Sequence, residues 1–165
     1  MRPGDHPEFF RLPPPEGRSR ESTIRLDRQG RFFHDGELIE HRKLARGMAA
    51  WISRHPDDGR FILTNGYDWT YFEVEDVPYF VHAVREREGV VQLELFDGSE
   101  EPLRPKATRI LDDGSVITHV KADAAGGPFE AKFERAALVD LSEFLREDAA
   151  GQVRLGPHGP LFAKG

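Results

Sequence analysis

Apolar and polar positions along this chain alternate in short blocks, and twice the alternation gives way to a helical period. Ile24 and Leu26 are interleaved with charged residues, Asp27 to Gly30 turns the chain, and Arg31-Phe32-Phe33 returns, which predicts a hairpin. His34-Asp35-Gly36 forms a second turn. The spacing then predicts a helix over 41–54, because Leu44, Met48, Trp51 and Ile52 fall at i, i+4, i+7 and i+8. Arg42, Lys43, Arg46 and Arg54 lie largely off that stripe, Pro56 stops the helix, and Asp57-Asp58-Gly59 turns. Strands follow at 60–64 and 67–74. Asn65-Gly66 between them is the pair that favours a two-residue type I′ turn. Pro78 interrupts the ladder, and strands at 79–85 and 90–96 are joined by the charged stretch Arg85 to Glu88.

The second part of the chain repeats this plan. Residues 108–111 and 116–120 read as a hairpin around Asp112-Asp113-Gly114, and Phe129, Ala131 and Phe133 alternate as a strand. A helix over 135–148 carries Leu138, Leu141 and Leu145, Gly151 closes it, and Val153 to Leu155 leads into a turn at Gly156 to Gly159 and on to Leu161-Phe162. Leu26 corresponds to Leu111, and Phe61 to Leu63 corresponds to Val153 to Leu155. The expected class is α+β: duplicated hairpin–helix–hairpin units, with antiparallel sheets each packed by one helix, since one helix on a small sheet cannot bury both of its faces. The expected organisation is a flexible Pro-rich arm at 1–22, an N-terminal α+β half at 23–88 and a C-terminal α+β half at 89–165.

Composition narrows the function classes. The 165 residues include no cysteine, so disulfides, thiolate zinc sites and thiol nucleophiles are excluded. No apolar run approaches the length that spans a bilayer, and residues 1–20 hold five prolines and scattered charges where a secretory signal would hold an apolar core, so a cytoplasmic protein with no membrane partner is expected. The excess of Arg over Lys points to a high-GC bacterial source. The net charge of −6 disfavours non-specific duplex nucleic-acid binding. The charge is uneven: residues 1–46 carry ten basic against eight acidic side chains, and the remainder carries the acidic excess. The chain is expected to be a monomer or homodimer.

No phosphate-cradling glycine loop, nucleophile elbow or His-Glu-x-x-His helix is present, which lowers the expectation of an enzyme. The richest polar cluster is Glu73, Glu75 and Asp76, flanked by Tyr71 and Tyr79. Glu73 and Glu75 are two apart in a strand and face one side, either as the wet face of a sheet or as a carboxylate pair for a cation or for acid–base work. His34 and His41 lack the spacing of a helical ligand pair, and His82 and His119 read as structural. Tyr67, Trp69, Tyr71, Phe72, Tyr79 and Phe80 form a dense aromatic set, read as core because the basic residues that accompany base stacking are missing.

Three segments resemble a bacterial family, domain-of-unknown-function family 1285. These are Gly30 through Leu44, with His34-Asp35-Gly36 and Ile39; Asp58 through Thr64, continuing to Phe72-Glu73-Val74-Glu75-Asp76-Val77-Pro78-Tyr79; and Phe129 through Arg135 with Leu138 and Leu141, then Val153 through Phe162. Thr64-Asn65 stands where the family often has Thr-Pro, and Asp97-Gly98 where it often has Thr-Asn. The resemblance implies a duplicated α+β core, a C-terminal half similar to pleckstrin-homology barrels, and a ligand site between the halves. On this basis the expected function is a ligand-binding or signalling module for a small anionic or nucleotide-like molecule, with no cofactor identified. His34, Arg42, Glu73, Glu75, Asp76, Tyr79 and Arg135 are nominated to line the site, Arg135 as a planar fork for a phosphate or carboxylate. The alternatives are a metal-dependent hydrolase built on Glu73, Glu75, Asp76 and His34, and an interaction scaffold using the N-terminal arm.

Overall fold

A computed structural model describes residues 1–156, Gly159 and Phe162. Two compact units emerge from it, 1–78 together with 123–127, and 79–122 together with 128–165. Residues 79–88, grouped by the sequence reading with the first half, stand in the second unit, because the strand they build pairs with two strands there. Among the described residues no helix is long and apolar enough to cross a membrane.

The first unit opens with two short 3-10 turns, Pro3–Asp5 and Pro7–Arg11. Strands β1 (Arg25–Leu26), β2 (Phe32–His34) and β3 (Glu37–Leu38) precede helix α1 (Arg42–Ala50). Then come β4 (Ile52–Arg54), β5 (Phe61–Thr64), β6 (Trp69–Tyr71) and β7 (Glu73–Val74). One sheet has the order β3-β2-β1-β7 and the other β4-β5-β6. Leu26 pairs with Phe32 on one side and Val74 on the other, which places its side chain in the core; Leu26 and Phe32 are fully buried. The β2–β3 turn is a two-residue type I′ turn, with Asp35 and Gly36 both at positive φ. Thr23 fixes it by donating to Asp35 Oδ1 at 2.6 Å and accepting the Asp35 N–H at 2.9 Å.

Helix α1 is shorter than its sequence stripe predicts. It ends at Ala50, and Ile52, read as its last apolar position, instead pairs with Leu63 as the first residue of β4. The β-branched Ile52 gains a ladder partner that a helix would not give it. Met48 and Ala49 are buried, while Leu44 and Trp51 remain 45% and 37% exposed. The Asn65-Gly66 turn also differs. Thr64 pairs with Trp69, so the loop has four residues, and Asn65 Oδ1 accepts the N–H groups of Tyr67 and Asp68 at 2.9 Å each. The asparagine side chain competes for the backbone donors and holds the wider loop open.

The second unit holds β8 (Tyr79–Arg87), β9 (Val90–Leu95), β10 (Glu100–Pro102), β11 (Arg109–Ile110), β12 (Val116–Val120), β13 (Phe129–Phe133), helix α2 (Arg135–Ser142), β14 (Leu145–Glu147) and β15 (Val153–Leu155). Its six-stranded sheet runs β10-β9-β8-β13-β12-β11, and α2 packs on β8 and β13. Phe129, Ala131 and Phe133 are buried as their alternation predicts, as are Val91, Leu93 and Leu95 on β9. The predicted helix over 135–148 is split: α2 stops at Ser142, and 145–147 pairs with 153–155. Asp148 causes the reversal by accepting the N–H groups of Ala150 and Gln152 at 2.9 Å each. The predicted turn beyond it falls at Pro157 and His158, which with Leu161 lie outside the described residues.

The class is therefore α+β, mostly antiparallel, with one parallel pair in each larger sheet, β1 with β7 and β8 with β13. In both units a hairpin precedes a helix, and the helix is followed by a short strand and its return partner. The turns after β1, β9, β11 and β14 share one geometry. The first residue donates to the carbonyl of the fifth, and a glycine at the fourth place donates back to the first, as Gly30 to Asp27, Gly98 to Leu95, Gly114 to Leu111 and Gly151 to Asp148. All four glycines have φ between 79° and 88°, the positive-φ position that closes a three-residue hairpin loop.

Candidate functional site

The nominated residues divide between the two units, with His34, Arg42, Glu73, Glu75 and Asp76 in the first and Tyr79 and Arg135 in the second. The strand expected to carry both Glu73 and Glu75 ends at Val74: Arg25 pairs with Glu73 in register, and its guanidinium bonds Glu75 in the bend that follows. Glu73 is exposed, and the Glu75 side chain is partly covered by its ion pair with Arg25. His34 lies at the exposed end of β2, and Arg42 and Arg135 are the exposed first residues of α1 and α2. Tyr79 is a core side chain, 2% exposed, packed against Phe96 and Phe129 at ring distances of 5.7 and 5.3 Å. Burial pushes its phenol well above the ordinary range. Among the described residues no group of three His, Asp or Glu is arranged to hold a metal ion. His41 caps α1, its Nδ1 accepting the Leu44 N–H at 3.1 Å. His82, at a bulge in β8, is paired with Glu134.

A cavity of about 430 Å³ lies in the first unit. Its walls come from segments far apart in sequence. Ser53 and Arg54 stand on β4, and His55 and Gly59 on the turn that follows. Thr64 and Gly66 come from the end of β5, Arg2, Gly4, Asp5 and Phe10 from the N-terminal turns, and 125–127 from the inserted loop. Close backbone approach assembles it. Gly4 donates to the Gly66 carbonyl at 2.8 Å, and a Cβ on Gly4 would lie 2.8 Å from the Gly66 Cα. Gly126, at φ +81°, sits so near Arg54 that a Cβ would lie 2.8 Å from its backbone nitrogen. Ser53 donates to the Ala125 carbonyl at 3.0 Å, and the Arg54 guanidinium donates to the Gly126 carbonyl at 2.6 Å.

His55 anchors the wall. Its Nδ1 accepts the Asp57 N–H at 3.1 Å and its Nε2 lies 3.1 Å from the Phe10 carbonyl, so the tautomer protonated at Nε2 satisfies both ring nitrogens. The ring is buried against Tyr71, Trp69 and Phe10 at 5.7, 5.1 and 6.0 Å. The N-terminal segment continues over this unit. Arg11 bonds Asp57 through Nε at 3.1 Å and Nη2 at 2.9 Å, Arg60 takes both carboxylate oxygens of Glu21, and Tyr71 donates its N–H to the Arg20 carbonyl at 2.8 Å. The hydrogen bond from Arg11 holds the Asp57 carboxyl below the usual carboxylate range.

Spacing along the chain could not reveal Arg2, Arg54 and Gly126 as neighbours. The available signals were the Phe9-Phe10 pair in an otherwise polar arm and the His55-Pro56-Asp57-Asp58-Gly59 turn. A second, mostly apolar notch of about 250 Å³ lies between α1 and the β5–β6 strands, lined by Leu44, Met48, Trp51, Leu63, Asp68 and Trp69 among others. In the second unit a broad, charged depression of about 730 Å³ borders the β8–β9 turn, with Arg87 and Glu100 ion-paired across it at 3.1 Å.

No family model matches the chain, and no curated protein does. Two solved structures are similar to it. A DUF1285 family protein from Silicibacter pomeroyi superposes with a TM-score of 0.59 at 19% identity, over 93% of this chain and 91% of that one. A DUF1285 family protein from Shewanella baltica gives the same TM-score at 17% identity, over 76% of this chain and 94% of that one. The chain thus has a DUF1285-like fold.

Proposed function

We propose that this protein is a binding module for a small anionic molecule, and that the arginine-bearing cavity of the first unit receives it. The supporting observation is the charge of the wall. Among the described residues that line it, two arginines face one carboxylate, and that carboxylate, Asp5, is already engaged by the Arg2 backbone N–H at 2.8 Å and lies 3.7 Å from the Arg2 guanidinium. Arg54 brings a second positive charge to the same wall. Its guanidinium is placed by the Gly126 carbonyl and by the Phe61 ring, 5.1 Å away, so its fork is pre-oriented for a phosphate or carboxylate oxygen. The volume suits a small metabolite.

The test is a thermal-shift and calorimetric screen with inorganic phosphate and with nucleoside mono-, di- and triphosphates. A bound anion raises the melting temperature with its concentration. Arg54→Gln weakens binding by about tenfold or more, the cost of a charge-assisted bond. Arg42→Gln and Arg135→Gln, drawn from the exposed positions nominated by sequence, leave it unchanged. Absence of any shift, or full affinity in Arg54→Gln, overturns the reading.

A further inference from the structure

Helix α1 leaves its outer face without a partner in the chain. Lys43, Gly47 and Ala50 fall at i, i+4 and i+7 and form an outward line, with Leu44 and Trp51 on one flank and Arg46 on the other. Leu44 and Trp51 belong to the apolar stripe, yet both stay partly open to solvent. They edge the notch of about 250 Å³, whose floor is Met48 and Leu63. Gly47 is an independent sign. Glycine in a helix interior is destabilising relative to alanine, and close packing is the usual reason to keep it. Here a Cβ would meet nothing within 4 Å among the described residues, so nothing inside this fold requires its absence. Arg42, Lys43 and Arg46 are exposed, and the helix holds no acidic residue. Among the described residues no carboxylate pairs with Arg42 or Lys43. Across the notch Asp68 is engaged by Arg20 at 2.9 Å, so the charge left open along α1 is basic.

We propose that the outer face of α1 is a docking surface for an acidic peptide segment of a partner protein. One large apolar side chain of the peptide enters the notch, and its carboxylates lie over Lys43 and Arg46. The notch exceeds the cavity of about 150 Å³ that accepts benzene, so a phenylalanine or leucine side chain has room. This anchor rests on Leu44, Trp51 and the Met48–Leu63 floor. It needs neither the Asp68 charge nor the Trp69 face, both of which Arg20 occupies. Gly47 and Ala50 let the peptide backbone approach the helix closely. A second copy of this chain fits less well, because a two-fold contact through α1 sets Lys43 and Arg46 against their own copies. A lipid surface would meet only the two part-exposed apolar side chains of a nine-residue helix and leave the notch unfilled. The face is independent of the anion reading, since no residue of α1 lines that cavity.

The experiment pans a random peptide library displayed on phage against the full chain, then measures the selected peptides, made synthetically, by calorimetry and tryptophan fluorescence. The selected sequences are expected to combine Asp or Glu with one Phe, Leu or Trp, and to bind more weakly as salt is raised. Lys43→Glu weakens them about tenfold or more, and Arg135→Gln leaves them unchanged. Trp51→Ser, checked for a native circular dichroism spectrum, has a similar effect to Lys43→Glu. Gly47→Gln keeps the test readable if Trp51→Ser fails to fold. It favours the helix and raises the melting temperature, yet it fills the outward line and weakens the peptide about tenfold. Inorganic phosphate does not compete. Selected peptides without acidic enrichment, full affinity in Lys43→Glu or Gly47→Gln, or no selected peptide at all overturns the proposal. So does pelleting of the wild type, but not of Lys43→Glu, with phosphatidylglycerol vesicles, which assigns the face to lipid. A dimer in sedimentation that Gly47→Gln splits assigns it to a second copy and overturns the proposal equally.

Discussion

Tyr71 donates its phenol proton to Oδ2 of Asp58 at 2.6 Å, tying β6 to the turn that follows β4. Burial, and then the Asp58 carboxylate, push the phenol up to about 12. A group whose pKa is raised by folding is held in its protonated form by the native state. Its contribution is complete below the unfolded value near 10 and is lost as pH rises from there through about 12. Spectrophotometric titration is expected to show a tyrosine ionising at about 12, and Tyr71→Phe to remove that step. Urea midpoints should fall between pH 10 and 12 in the wild type and fall less in Tyr71→Phe.

Much of the fold was legible because much of it is local. The alternation of Phe129, Ala131 and Phe133 marks β13, and each Asp-x-x-Gly or Leu-x-Asp-Gly turn carries its own bonding pattern. Ile52 was misassigned for a physical reason. A nine-residue helix followed by a three-residue strand has the same apolar spacing as a longer helix, and only pairing with Leu63 separates the two. The break after α2 has the same origin, since Leu145 continues the leucine spacing while its backbone pairs with Leu155.

Replacing Gly126 by alanine is expected to cost more than the same change at Gly89. Both have φ +81°, so both pay the left-handed strain of about 1–2 kcal/mol. A Cβ at Gly89 meets open space, whereas at Gly126 it meets the Arg54 backbone nitrogen at 2.8 Å and Ser53 Oγ at 3.0 Å. Urea unfolding of the two variants compares them directly. Gly126→Ala should also expose the 123–127 loop to limited proteolysis, which Gly89→Ala should not.

The candidate cavity was hidden from sequence because its walls meet only in three dimensions. Ser53 and Arg54 touch Ala125 and Gly126 across 72 residues, and Arg2 reaches the Asn65 carbonyl across 63. Glu73, Glu75 and Asp76 were conspicuous through adjacency, yet Glu73 ends up on the exposed strand β7 and Glu75 and Asp76 in the bend that follows it, with Glu75 bound to Arg25.

Phe10 should hold the N-terminal segment down more firmly than Arg11. Its ring packs on His55 and Trp69 at 6.0 and 5.9 Å, and its carbonyl faces the His55 Nε2. Truncating this half-buried ring is expected to cost about 1–2 kcal/mol and to red-shift tryptophan emission. Arg11→Gln removes an exposed ion pair, which solvent and salt already screen, and should leave the urea midpoint unmoved. Equal effects of the two changes would show that polar contacts hold the segment.

Asp97 and Lys121 form an ion pair at 2.8 Å in the second unit, with the Asp97 side chain only 3% exposed. Burial alone would raise that carboxyl. The Lys121 ammonium and the Ser99 hydroxyl and N–H outweigh it and hold the group below its ordinary value. Because folding lowers this pKa, the stability it confers is present above the unfolded value near 3.8 and is lost as pH falls through the lower folded value. Lys121→Met takes away the ammonium but keeps the aliphatic reach, leaving a buried carboxylate without its cation, at an expected cost of about 3–5 kcal/mol at neutral pH. Adding Asp97→Leu to Lys121→Met removes the stranded charge, so the double variant should be more stable than the single one at pH 7. The single variant should also regain stability relative to wild type as the pH is lowered toward 4, where protonation neutralises Asp97. Urea titrations at pH 7 and pH 4 measure both, and a double variant no better than the single one would place the role of Lys121 in its positive-φ backbone rather than in its charge.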